Sequence, residues 1–246
     1  MSDISDRFRV DRDGPVARVT LCQGAEGNTL APPDMHAIGA AIRAEGSDKT
    51  VKLVVVTGEG DDFCLGRRIV PGITPPANAR EFRERVADAI LGVYENLRMT
   101  PVPVLTAVQG RAKGFGCAFA AQADVTIAED RARFSMPEMD GNLPPTLAIS
   151  AALPKMPAKA VLDMVLTRDE ISADQAFAHG LISRIAPAGG LADALEAYIA
   201  KLADRDRDAL VAIKEYMRLA PTMDLAGQAR YGANLISVEM TSQAKD

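Results

Sequence analysis

Residues 102–122, VPVLTAVQGRAKGFGCAFAAQ, join three kinds of local chemistry in a row. The first seven are mostly apolar, with β-branched Val102, Val104, Thr106 and Val108 among them, the composition of a strand covered on both faces. Gly110, Gly114 and Gly116 follow, and then a small-residue run with helical character from Cys117 to Gln122. A strand, a glycine-rich turn and a helix in that order define one unit of an α/β fold whose strands run parallel.

Working outward, the same alternation recurs. Residues 51–57 (VKLVVVT) form another almost continuously apolar run, and 16–21 and 125–128 read as further strands. Between them, 35–44 is amphipathic. In 80–97, Phe82, Val86, Ile90, Val93 and Leu97 recur at helical spacing. Beyond Asn142 the pattern changes. Residues 157–166, 173–179, 191–202, 208–219 and 225–240 all read as helices, and Leu191, Leu195, Tyr198, Ile199 and Leu202 make one apolar stripe. Residues 71–76 (PGITPP) break regular structure. The expected organisation is a core over residues 1–190 and a helical region over 191–246.

Composition narrows the function. With 28 Lys and Arg against 33 Asp and Glu, the net charge is -5. No basic block is present and Trp is absent, so a nucleic-acid surface is not expected. Cys22, Cys64 and Cys117 are too widely spaced for a zinc site and form no evident disulfide framework. The charged N-terminus and the lack of a long apolar run predict a cytoplasmic protein without membrane association.

The glycines match neither the dinucleotide fingerprint nor the phosphate loop, which needs a Lys beside Ser or Thr. Gly114-Phe115-Gly116 instead opens a helix, where unpaired N–H groups and the positive dipole end can hold a developing oxyanion. A second turn, 62–68 (DFCLGRR), also follows a buried strand. Each turn alone is also an ordinary chain connection; two on one sheet edge suggest a shared site. Glu138, in Ser135-Met136-Pro137-Glu138, sits in an apolar neighbourhood that would raise its pKa and suit it to general acid/base work. Asp140 is a weaker second carboxylate. His36 and His179 form no triad or metal set, and Ser135 lacks a nucleophile elbow.

Taken together, these segments resemble the enoyl-CoA hydratase/isomerase (crotonase) family. Residues 63–68 (FCLGRR) resemble its F-x-x-G-A-D. Residues 108–124 resemble N-G-x-x-x-G-G-G-x-E-L-x-x-x-C-D, and 132–145 resemble A-x-F-x-x-P-E-x-x-x-G-x-x-P. Residues 173–185 and the Gly27-Asn28-Thr29-Leu30 turn match further family segments. The resemblance implies a spiral of ββα units with a helical C-terminal trimerisation region, hence a homotrimer or dimer of trimers. It implies an acyl-CoA substrate, no metal or separate cofactor, and an enolate held by the backbone N–H groups of Arg67 and Phe115. Glu138 would be the acid/base. Glu26, Leu65, Arg68, Ile69, Gly114, Ala118, Pro137 and Asn142 would contribute to substrate or CoA binding.

The departures from the family pattern shape the expected reaction. Its first glutamate falls on Ala118, Phe115 replaces a Gly, Arg67-Arg68 replace Ala-Asp, and Asn142 replaces a Gly. The family's E-G…A-F…K-R tail has no counterpart, so part of its C-terminal helix contacts should be missing. One glutamate suffices for a double-bond shift, whereas hydration ordinarily uses two, so isomerisation is favoured over hydration. The alternatives are decarboxylation or hydrolysis of an acyl-CoA, or acyl-CoA binding without turnover.

Overall fold

The run 51–57, apolar except for Lys52 and Thr57, owes that character to being covered twice. In the computed structural model, which describes residues 6–243, Val54 and Val56 point into the main core while Leu53 and Val55 join a second cluster on the opposite face. The elements in chain order are β1 (Phe8–Asp13), β2 (Val16–Leu21), α1 (Pro32–Ser47), β3 (Leu53–Gly58), α2 (Ala79–Phe82), a π-helical turn (Arg83–Ala87), α3 (Asp88–Met99), β4 (Val104–Val108), β5 (Arg111–Lys113), α4 (Phe115–Gln122), β6 (Val125–Glu129) and β7 (Arg133–Ser135). They continue with a 3₁₀ turn (Pro137–Gly141), α5 (Thr146–Ala152), α6 (Ala158–Thr167), β8 (Ile171–Ser172), α7 (Ala173–Ala178), β9 (Arg184–Ala186), α8 (Leu191–Ala203), α9 (Arg207–Leu219) and α10 (Leu225–Gln243).

The large sheet has the order β1-β2-β3-β4-β6-β9. Only the β1–β2 hairpin is antiparallel; every later pairing is parallel, as the strand–helix alternation requires. A smaller sheet, β5-β7-β8, is extended by two isolated parallel bridges, Leu30 with Arg67 and Cys64 with Ala112. Each unit therefore gives one long strand to the first sheet and one short piece to the second, and then turns into a helix. That repetition makes the fold a spiral.

The main core lies between the large sheet and helices α1, α3 and α4, with Phe63, Phe119 and Phe134 among its fully buried side chains. The opposite face is covered by Leu195 and Ile199 of α8, two members of the stripe read from sequence. The single long helix expected over 80–97 is divided into α2, the π turn and α3. One extra residue per turn there re-aims the side chains that follow.

Helix α9 is fastened to the core by Lys214. Its buried ammonium donates to the carbonyls of Leu97 (2.9 Å) and Val102 (3.1 Å) and pairs with Asp124 (2.7 Å). Among the described residues, no helix is long and apolar enough to cross a membrane.

Candidate active site

Three turns leave the C-terminal ends of the short second-sheet strands and are sewn to one another by backbone. The turn after β3 is tied to β5: Cys64 N–H donates to Arg111 O (3.3 Å), and Lys113 N–H donates to Cys64 O (3.0 Å). Parallel pairing of β5 with β7 opposes Lys113 to Ser135, and Gly114 N–H donates to Ser135 O (2.8 Å). Glu138 lies three residues beyond Ser135, so this register delivers its carboxylate to the Gly114–Phe115 turn.

Side chains brace the same junction. The Asp62 carboxylate accepts from two of the three Arg111 guanidinium nitrogens, Nε (2.9 Å) and Nη2 (2.7 Å), and from the Arg111 backbone N–H (2.9 Å). Those bonds hold the Asp62 carboxyl below the usual carboxylate range, against the opposing effect of burial.

Two glycines are required by this geometry. Gly114 has φ 52° and ψ -115°, a conformation foreign to residues with a β-carbon, and a Cβ there would meet Glu138 Oε1 at 2.8 Å. Gly66 has φ 107°, and a Cβ there would lie 3.0 Å from Lys113 O and 3.9 Å from the Phe115 nitrogen. The two turns thus approach within one atom's breadth.

Their amides are unspent. At the Leu30–Arg67 bridge, Leu30 N–H donates to Gly66 O (3.1 Å) and Arg68 N–H donates to Leu30 O (2.8 Å), so the Arg67 N–H faces away from that pairing. Among the described residues, neither the Arg67 N–H nor the Phe115 N–H donates to a protein acceptor. Phe115 is the first residue of α4, where the helix itself supplies no acceptor.

Arg67, Phe115 and Glu138 line one cavity of about 490 Å³, together with Leu65, Gly66, Gly114 and Pro137. Burial pushes the Glu138 carboxyl above its ordinary value, and its Oε2 is buried with no hydrogen-bond partner. The wall opposite comes from Phe82, Val86, Ile90 and Tyr94 of the divided helix and from the segment 143–148. Tyr94 falls four residues after Ile90, on the stripe that the sequence displays, but a tyrosine on an apolar face carries no mark of a cavity.

A second cavity, about 620 Å³, adjoins the first through Arg67, Phe82 and Val86 and includes Arg68 and Ile69. Arg68 pairs with Asp34 at 3.3 Å. The Arg67 side chain is exposed, with no hydrogen-bond or ion-pair partner among the described residues.

Glu26, Ala118 and Asn142 line neither cavity. Glu26 is exposed and ion-paired to Arg7. Ala118 is wholly buried in the main core. Asn142 is exposed, with a left-handed backbone (φ 54°) that ends the 3₁₀ turn. Asp140 is drawn outward to Arg168 at 3.0 Å. Cys64 and Cys117 are buried free thiols, with Cys64 pushed up to about 12 by burial.

Comparison with known proteins agrees with this architecture. The Mus musculus mitochondrial enoyl-CoA hydratase domain-containing protein 3 is 28% identical over 179 residues, 72% of this chain and 58% of its own length. The chain spans 58–64% of the length of the relatives of that name. The crystal structure of an enoyl-CoA hydratase from Mycobacterium smegmatis superposes with a TM-score of 0.89 at 25% identity, covering 96% of this chain and 91% of that one. A putative enoyl-CoA hydratase from Thermobifida fusca YX, crystallised with acetoacetyl-CoA, superposes at 0.84 with 26% identity, covering 96% and 95%. The family model described as Enoyl-CoA hydratase/isomerase matches residues 11–245. The spiral of paired strands and helices, and the sequence that builds it, make this chain a member of the enoyl-CoA hydratase/isomerase family.

Proposed function

We propose that the protein is an enzyme acting on an acyl-CoA thioester through an enolate, with Glu138 as its one acid/base and double-bond isomerisation favoured over hydration. The observation that carries this reading is the pair of unspent amides, Arg67 N–H and Phe115 N–H, on the wall of the cavity that holds the buried Glu138 carboxylate. The thioester oxygen accepts both hydrogen bonds. Charge that develops on it as a carbon proton leaves is stabilised by donors already in position, each worth on the order of 10²–10³ in rate.

Glu138 removes the Cα proton of a β,γ-unsaturated thioester, the electrons pass into the dienolate, and the same carboxyl returns the proton at Cγ. Its raised pKa brings it closer to the acidity of its working pH, which favours both transfers. Alanine at 118 leaves no second carboxylate there to activate water, which is why isomerisation leads. The amides carry the enolate charge, so no separate cofactor is needed; coenzyme A belongs to the substrate. We further propose a cytoplasmic homotrimer or dimer of trimers with 191–246 as the assembling region; exposed Ile213, Met217, Ile236, Val238 and Met240 on α9 and α10 support assembly through these helices.

Glu138→Gln tests the assignment. Turnover should fall ~10²–10⁴-fold while thioester affinity stays near that of the parent. A gain of conjugated-thioester absorbance from an unconjugated substrate marks isomerisation, and loss from a conjugated one marks hydration. Full activity in the variant would end the reading.

A further inference from the structure

Among the described residues, no other side chain hydrogen-bonds the Glu138 carboxylate, and its Oε2 is buried without a partner. Its aim is therefore set by the turn that carries it. That 3₁₀ turn, Pro137–Gly141, is a weak platform, since Pro137 has no N–H and no side chain caps its start. At three residues per turn, Asp140 leaves it about two-thirds of a turn around from Glu138. Holding Asp140 outward thus holds Glu138 inward.

Asp140 is held by Arg168 (3.0 Å), and Arg168 occupies a position that suits glycine. It follows α6 with φ 64°, the left-handed corner where glycine is the usual helix-ending residue. The helix dipole favours a cation anywhere in the last turn, so it does not select this residue. An exposed ion pair adds little to stability, so fastening the fold does not select it either. Two residues on, Glu170 pairs with Lys113 at 2.7 Å. Lys113 sits at the seam of the amide turns: its N–H donates to Cys64 O (3.0 Å), its carbonyl faces Gly66, and Gly114 and Phe115 follow it. The corner 168–170 therefore grips both the acid turn and the amide turn. Ile171, next along, pairs with Phe134 of β7 in the same small sheet.

We infer that Arg168 and Glu170 are positioning residues: by clasping Asp140 and Lys113 they fix the Glu138 carboxylate against the Phe115 amide. Both residues line neither cavity and act through the turns they join. The inference rests on the acyl-CoA reading above and adds to it the device that sets the acid's place beside the enolate.

Arg168→Gly keeps the left-handed corner while removing the grip. Asp140→Asn removes the same pair and leaves that corner untouched. In both, kcat on 3-hexenoyl-CoA or crotonyl-CoA should fall about 10-fold, while acetyl-CoA binds as it binds wild type. Glu170→Gln should lower kcat in the same way. The charge swap, Asp140→Arg with Arg168→Asp, should recover most of the loss, which a merely structural role would not give. One further measurement needs no substrate. The stability that Glu138→Gln adds at pH 7 should shrink by roughly half or more in the Arg168→Gly background, because a carboxylate released from the cavity is no longer penalised. Wild-type kcat in both Arg168→Gly and Asp140→Asn would overturn the proposal. So would a charge swap that recovers no activity, an equal loss of acetyl-CoA affinity, or an unchanged Glu138→Gln gain. No turnover of either thioester by wild type would overturn the acyl-CoA reading instead, and the stability measurement would then decide the clasp alone.

Discussion

Replacing Gly114 with alanine tests the junction between the amide turn and Glu138 through two separable effects. The first is backbone strain: at φ 52° and ψ -115° a β-carbon costs about 1–3 kcal/mol. For a chain of this size that corresponds to a melting temperature lower by roughly 2–12 °C, at about 2–4 °C per kcal/mol. The second is contact. The new Cβ would lie 2.8 Å from Glu138 Oε1 but 3.5 Å from its carboxyl carbon, and ordinary contact begins at 3.4 Å. The oxygen must therefore retreat by about 0.6 Å (3.4 less 2.8), which the side chain meets by rotating its carboxylate. Displacements approaching 1 Å at a reacting group cost on the order of 10²-fold, so kcat should fall ~10–100-fold. The assay is conjugated-thioester absorbance beside a thermal melt. In a Glu138→Gln background the same alanine should lower the melting temperature equally and reduce the residual rate little further, because the group it displaces is already disabled. Wild-type kcat in Gly114→Ala, or full additivity with Glu138→Gln, would refute the coupling.

Three further outcomes follow from the geometry. Glu138 has a folded-state pKa above its unfolded value, so its contribution to stability is fully present below the unfolded pKa and is lost as pH rises through the folded one. Glu138→Gln should therefore stabilise the protein at pH 7, with the gain vanishing near pH 4, and the acid limb of wild-type kcat/KM should lie above the ordinary glutamate pKa; urea melts and rate profiles check both. Lys214→Ala would strip the donor from two buried carbonyls and should cost about 2–4 kcal/mol in chemical denaturation, with little effect on thioester affinity. Asp62→Ala should slow turnover more than it weakens binding, because it frees Arg111 and loosens the link between the two amide turns.

Much of this architecture could be read directly because burial writes itself into composition. The run 51–57 is apolar on both pleat faces since each face meets a different cluster, and the stripe of α8 is visible because one side of that helix covers the sheet. The second sheet was not readable. Its strands span two or three residues, too short for a period-2 pattern, and its outer members are single bridged residues such as Leu30 and Cys64. Yet this sheet sets the register that brings Glu138 to Gly114. The amides of Arg67 and Phe115 were anticipated from glycine placement and family resemblance, not from their own side chains, which say nothing of a free N–H. Tyr94 went unnoticed because its spacing suits a core helix; only the missing partner distinguishes it. The π turn over Arg83–Ala87 left no trace in a periodicity that looked continuous.

Catalysis by this site requires a thioester carbonyl to come to rest between the two turns. A crystal structure of the protein with a non-reacting acyl-CoA analogue measures this directly. The prediction is a carbonyl oxygen 2.7–3.1 Å from both the Arg67 and Phe115 nitrogens, with a Glu138 oxygen within reach of the adjoining carbon. A thioester bound with its carbonyl away from those nitrogens, or with Glu138 turned out of the cavity, would contradict it.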